Sequence, residues 1–212
     1  MSASAGAPGR SRPLVLLYNR LFPRMDDVAE LVRTDCGGAC AFSSDRACLP
    51  RATAVVFHIP TLRGVTLPPR YPGQQWVAWS MESEANYPEL ADPAFMRQFE
   101  ITMTYRRDAT VWSPYFGGPG FDAAALLTPP RPKTEAAPVV YFQSSPIDRW
   151  GRTAYAAGLM RRVKVDSYGK VLHNRDLPEP DSGRESMLAA TARHKFALVL
   201  ENCLTRDYVS DK

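Results

Sequence analysis

The sequence of 212 residues is poor in several things, and each shortage narrows what the protein does. No apolar run approaches the roughly 18 to 20 residues needed to span a bilayer. Residues 1–13 are small, polar and basic with no apolar core, so they read as a disordered leader and not as a signal peptide. There is no Asn-x-Ser/Thr sequon and no Lys/Arg block of the kind that tracks a nucleic-acid backbone, and the net charge is only +4. No Asp-x-Asp pair is present to bring a divalent metal to a nucleotide diphosphate. The three histidines, His58, His173 and His194, are scattered and indicate neither a metal site nor a catalytic dyad. Of four cysteines, Cys36, Cys40 and Cys48 lie close together without the paired CxxC spacing of a zinc site; one disulfide within the trio and free buried thiols are both compatible with that spacing.

What is present is an α/β pattern. A hydrophobic content of 45% and a charged content of 23% suit one large or two small globular domains. Apolar runs at Leu14–Tyr18, Ala54–His58 and Trp76–Met81 read as buried strands, and Phe99–Thr104 alternates as a fourth. Met25–Val32 has helical spacing with acids in its first turn. Ala91–Phe99 reads as a short helix with Asp92 as cap and Pro93 at its first position. Residues 121–137, rich in Ala and Pro and without period, read as a linker between a first domain at 14–120 and a second at 138–212. The second opens with a strand at Val139–Phe142 and a helix at Arg149–Arg162, with Tyr155, Leu159 and Met160 as its apolar face. A strand at Val163–Asp166 and a helix at Glu185–Ala192 follow. The last is Phe196–Leu200, expected to be a buried strand, after which Asp207–Lys212 looks like the opening of a helix. Strands alternating with helices imply a largely parallel sheet.

Parallel sheets place ligands at the carboxyl ends of their strands. Glu82 follows the third of the long strands beside Trp76, Trp79 and Met81, a setting that suits a partly desolvated general base; the plainer reading is a solvated loop acid, and Glu84 competes for any role. Tyr105-Arg106-Arg107-Asp108 puts two guanidinium groups and an acid at a strand end, which suits either contact with an anion or, the plainer reading, an Arg–Asp pair pinning a turn. Gly117-Gly118-Pro119-Gly120 reads as a turn, because Pro119 removes a donor that a phosphate loop needs. At the C-terminus a strand leading into a helix N-terminus is a place where phosphates bind, with a Lys and a carboxylate adjacent.

Four stretches together resemble the α1,3-fucosyltransferases of glycosyltransferase family 10. Trp76-Val77-Ala78-Trp79-Ser80-Met81-Glu82-Ser83 is similar to the family's W-x-W-x-x-E-S-P segment, with Glu84 in place of the Pro. Phe99–Tyr115 resembles F-N-x-T-x-x-Y-R-R-D-S-D-x-x-x-P-Y. Ser144 through Arg152, followed by Tyr168-Gly169, resembles a serine-asparagine turn, a helix Arg and a tyrosine-glycine pair. Lys195–Lys212 resembles the donor signature K-F-x-L-x-F-E-N-S-x-x-x-D-Y-I-T-E-K.

The resemblance implies a GT-B-like fold of two Rossmann-like domains, an acceptor-side one at 14–120 and a GDP-fucose-binding one beginning at 138, the latter incomplete at Lys212. It implies an inverting transfer of L-fucose from GDP-fucose to a hydroxyl of an N-acetylglucosamine-type glycan acceptor, with no divalent metal needed. Glu82 takes the place of the general base. Arg152 and Lys212 take the places of the pyrophosphate cations, and Tyr208 and Asp211 those of the nucleotide contacts, Asp211 being one methylene shorter than the family's Glu. Ser144, Glu201 and Asn202 complete the donor set. The alternatives are a non-catalytic fragment of such an enzyme and a GT-B transferase for another sugar nucleotide. Eukaryotic members are anchored in the Golgi membrane, and this chain contains no such anchor.

Overall fold

The computed structural model describes residues 12–20, 39–116 and 122–210. The helix expected over Met25–Val32, the glycine turn at 117–120, and Asp211 and Lys212 lie outside those residues. The chain divides into two compact units, Met1–Ser113 and Pro114–Lys212.

The first unit holds a six-stranded parallel sheet: β1 Leu14–Leu17, β2 Ala41–Ser43, β3 Ala54–His58, β4 Gln75–Ser80, β5 Ile101–Thr104 and β6 Val111–Trp112. Their order is β2-β1-β3-β4-β5-β6. Side chains alternate faces along a strand, and here both faces are used. Leu16, Val55, Phe57, Trp76 and Ala78 pack into one cluster, whereas Leu17, Val56 and Val77 pack into another. That is why these strands read as unbroken apolar runs. Phe57 anchors the larger cluster, with ring centroids 4.8 Å from Trp76 and 5.6 Å from Phe99. β2 has no counterpart in the sequence reading; three residues are too few to show a period. The helix expected at Ala91–Phe99 is one turn, α1 Pro93–Met96, with Asp92 accepting from Ala94 N at 2.8 Å. Cys40 is disulfide-bonded and Cys48 is a buried free thiol.

The second unit carries β7 Val139–Tyr141, α2 Arg152–Met160, β8 Val165–Ser167, α3 Arg184–Arg193 and β9 Phe196–Leu198. Its sheet is parallel, in the order β8-β7-β9. The central β7 is covered on both faces: Val139 and Tyr141 meet Ala156 of α2, and Val140 meets Ala190 of α3.

Three expectations are corrected here. The apolar run Phe196–Leu200 is not a buried strand. Among the described residues it is an edge strand with one neighbour, and Phe196 and Val199 are 66% and 52% exposed while Leu198 and Leu200 pack inward. The inward stripe of α2 is Arg152 and Ala156, both buried, with Met160 partly buried at the same helical spacing, and Tyr155 is 56% exposed. No helix opens at Asp207: it has φ +63°, in the left-handed region, and the next residues stay irregular. Ser210 is instead drawn back onto Glu201 by hydrogen bonds from its N–H (2.8 Å) and hydroxyl (3.0 and 2.9 Å).

Gly169 follows β8 where the chain crosses the loop after β7. Tyr168 N–H donates to Tyr141 O (3.0 Å) and Val171 N–H to Gln143 O (2.8 Å), and a Cβ at position 169 would fall on the backbone of Gln143. Gly169→Ala is therefore expected to cost about 3 kcal/mol in chemical denaturation. Gly158→Ala, inside α2 where the nearest atom to a new Cβ is Arg161 Nη2 at 3.7 Å, is expected to stabilise by about 0.5 to 1 kcal/mol.

Candidate functional site

Each unit gathers its chemically active side chains at the carboxyl ends of its strands. In the first unit the strand order reverses between β1 and β3, the place where α/β sheets open a crevice. That place is filled. Asn19 Nδ2 donates to His58 O and to Thr61 Oγ1, both at 2.8 Å, and His58 N–H donates to Asn19 Oδ1 at 2.9 Å. His58 is fully buried, and burial pushes its imidazole down to about 4, so it stays neutral.

The opening lies one strand further on. After β4 the chain turns on Ser80, whose hydroxyl donates to Glu82 O (2.9 Å) and accepts from Glu82 N–H (3.1 Å). Asn86 Nδ2 lies 3.5 Å from Glu82 Oε2. Glu84 accepts from the buried Tyr105 hydroxyl at 2.6 Å and sits 3.7 Å from Arg106 Nη1. Arg106 grips Asp108 through Nε and Nη2, both at 3.0 Å, which raises its pKa still further. The Arg–Asp pair thus pins the turn after β5, in line with the sequence reading. These groups line a cavity of about 360 Å³, with Glu82, Glu84, Arg106 and Asp108 on its polar side and Leu90 and Met96 on its apolar side.

In the second unit the order reverses at β7, and the loops after β7 and β9 meet there. Arg152 is the clamp. It is 3% exposed, and its guanidinium donates to Leu200 O (2.9 Å), Ile147 O (2.8 Å) and Ser145 O (3.2 Å). Trp150 Nε1 donates to Glu201 O (2.8 Å) and Arg149 N–H to Asn202 O (2.8 Å). Tyr208 is buried, edge-on to Tyr115 at 6.0 Å, and Ser144 is exposed on the loop. Two buried polar atoms on this seam, Arg152 Nε and Asn202 Oδ1, have no hydrogen-bond partner. The structure thus brings together Arg152, Glu201 and Asn202.

The residue that sequence reasoning missed is Asp148. Its Oδ1 accepts from the backbone N–H groups of Gly151 (2.7 Å), Arg152 (2.9 Å) and Trp150 (3.3 Å), and its Oδ2 from Thr153 (2.9 Å). These bonds hold its carboxyl far below the usual range and delay the start of α2 to Arg152, later than the expected Arg149. An Asp four residues ahead of the helix Arg was a legible capping signal.

The second unit also brings Glu135, Asp166 and His194 together, with one ligand atom of each within 4.8 Å of the others. Glu135 is paired to Arg193 and Arg175 at 2.8 Å each, Asp166 to Arg175, and His194 Nε2 lies 3.0 Å from Asp166 Oδ2. Two guanidinium groups already neutralise the two carboxylates, so a divalent cation would first have to displace them. The cluster reads as a charge network tying the segment before β7 to β8 and α3.

A family profile for the N-terminal domain of fucosyltransferases matches residues 10–116, and one for the C-terminal domain of glycosyltransferase family 10 (fucosyltransferase) matches residues 131–212. The chain belongs to glycosyltransferase family 10, the fucosyltransferases. Among curated relatives, 4-galactosyl-N-acetylglucosaminide 3-alpha-L-fucosyltransferase FUT6 of Gorilla gorilla gorilla is 31% identical over 99% of this chain and 57% of its own length. The FUT6 protein of Homo sapiens is 30% identical with the same coverage, and FUT5 of Hylobates lar is 30% identical over 55% of its length. The chain thus spans a little over half the length of these fucosyltransferases. The first profile contains Glu82 and the 360 Å³ cavity; the second contains Arg152, Glu201, Asn202 and Tyr208.

Asp148 has a testable signature. A carboxyl held lower in the folded than in the unfolded chain contributes its full stabilisation above the unfolded value of about 4, and loses it as the pH falls toward the folded value. Denaturation of wild type and Asp148→Asn should show a stability gap that is constant from pH 5 upward and closes below about pH 4.

Proposed function

We propose that this chain carries the acceptor-side unit and the first part of the donor-side unit of an inverting fucosyltransferase of the GT-B kind. The enzyme moves L-fucose from GDP-fucose to a hydroxyl of an N-acetylglucosamine-type glycan acceptor. The observation that carries the reading is Glu82: it stands in the segment matched by the fucosyltransferase N-terminal profile and lines a cavity at the carboxyl end of a parallel strand.

The chemistry asks for few groups. Inversion needs an acceptor hydroxyl to attack the sugar carbon from the face opposite the departing GDP, and a carboxylate to take the hydroxyl proton in an oxocarbenium-like transition state. Glu82 is assigned that role. The departing diphosphate gains charge as the bond breaks, and fixed donors nearby stabilise it. The reading gives this to Arg152 and Lys212, an Arg fork and a Lys point charge. Tyr208 and Asp211 are assigned to the nucleotide, the acid to its ribose hydroxyls, with Ser144, Glu201 and Asn202 shaping the rim. Arg152 Nε and Asn202 Oδ1, buried without partners on the seam between two loops, support a ligand there. The charge assignment leaves no obligatory role for a divalent ion, and turnover unchanged by a chelator is the expected result. Golgi residence of the working protein, for a eukaryotic source, belongs to the same reading; no helix among the described residues is long and apolar enough to cross a membrane.

A second reading, a non-catalytic fragment, is favoured by one observation: in this structure the Arg152 Nη atoms are committed to backbone carbonyls. Titration calorimetry with GDP separates the two. Binding in the micromolar range supports a formed donor site, and no binding supports the fragment. In a version extended to the length of the relatives, Glu82→Gln should lower kcat by at least about a thousandfold and leave the GDP Kd within about twofold. Retained turnover would remove Glu82 from the mechanism.

A further inference from the structure

Of the four tryptophans, Trp76 is buried, Trp79 and Trp150 are half-buried, and Trp112 of β6 is 51% exposed. The Trp112 indole is nonetheless fixed. Its Nε1 donates to Tyr105 O at 3.0 Å, so the polar end is satisfied by backbone and the apolar ring meets solvent. The sheet register gives the face on which it lies. Trp112 stands opposite Thr104 in a parallel pair, so the two side chains project from one face, and Thr102, two residues back on β5, shares it. Thr102, Thr104 and Tyr105 all line the 360 Å³ cavity that holds Glu82. The neighbouring pair, Val111 and Met103, projects from the opposite face. A held but exposed indole therefore borders the cavity. The order β4-β5-β6 puts it two strands from the one whose end carries Glu82, about 10 Å away at the usual strand spacing. One sugar ring at Glu82 does not span that gap; the ring linked to it does.

We propose that Trp112 is a specificity-determining residue, a stacking platform for the sugar ring linked to the one that reacts at Glu82, so that the acceptor is recognised as at least a disaccharide. The inference rests on the acceptor reading of the cavity given above. A pyranose has a face of C–H groups and a rim of hydroxyls. The face lies on the indole, where burial of apolar surface and contact with the π-system stabilise it, and the rim stays hydrated. An indole already held by its N–H loses little freedom when the sugar arrives. The pattern that Phe99–Tyr115 resembles leaves position 112 unspecified, as suits a residue that sets the choice of acceptor and not the chemistry.

The test uses the whole chain and two probes, N-acetylglucosamine and N-acetyllactosamine, with Kd measured by ligand-observed NMR. The disaccharide should bind about three- to tenfold more tightly than the monosaccharide, the range expected for one aromatic contact. Its galactose C–H protons should receive strong saturation from the aromatic signals of the protein. Trp112→Ala should bring the two Kd values together by weakening the disaccharide, and leave the monosaccharide within about twofold of wild type. Trp112→Phe keeps a ring but gives up the bond to Tyr105 O, and should retain more of the preference than Trp112→Ala. Equal binding of the two probes by wild type, a preference that Trp112→Ala leaves unchanged, or an equal loss for both probes overturns the platform and leaves the acceptor reading standing. So does a Trp112→Phe variant that falls as far as Trp112→Ala, because the bond to Tyr105 O and not the ring then carries the effect. Binding of neither probe overturns the acceptor reading of the cavity and the platform with it.

Discussion

In a parallel sheet every strand ends on the same edge. Consecutive strands are joined by crossovers that cover the faces, so side chains with chemistry to perform collect where the strands run out. Both units obey this constraint. Leu16, Val55, Phe57 and Trp76 fill one face of the first sheet and Val56 and Val77 the other, leaving only the edge for polar groups. Glu82, Glu84, Tyr105 and Arg106 stand there. In the second unit α2 and α3 cover the two faces of β7, and Arg152, Glu201 and Asn202 stand at the strand ends.

The two edges are held by different physics. In the first unit charged side chains hold one another: Arg106 between Asp108 and Glu84, with Tyr105 on Glu84. In the second, side chains hold backbone. Asp148 collects four N–H groups at the start of α2, and Arg152, one residue into the ordered helix, collects three carbonyls from two loops. An anion and a cation four residues apart thereby stitch the loop after β7 to the loop after β9. Any ligand at that seam meets a rim already shaped by these bonds.

Much of the site was legible before any fold was known. Glu82 is placed by the end of an apolar run, and Arg152 by its position after a turn and inside a helical stretch. The family membership that the motifs implied is borne out by both profiles. What could not be read were partners distant in sequence. Nothing local tells that Glu84 meets Tyr105, 21 residues on, or that Trp150 meets Glu201, 51 residues on. The cluster of Glu135, Asp166 and His194 was invisible for the same reason, since its members come from three separate elements.

The sequence by itself determined the strands that are buried on both faces, because unbroken runs such as Ala54–His58 have only one way to leave water. It determined the cap at Asp92 as well, because a cap is a contact between residues two apart. Only the tertiary structure decided the exposure of Phe196, since an apolar residue on an edge strand reads like one in the centre until its neighbours are placed. It alone decided that Asp207 turns left-handed, with Ser210 held on Glu201 nine residues away. And it alone decided that the Arg106 guanidinium is spent on two carboxylates. Charge is a property of a residue, but neutralisation is a property of a distance.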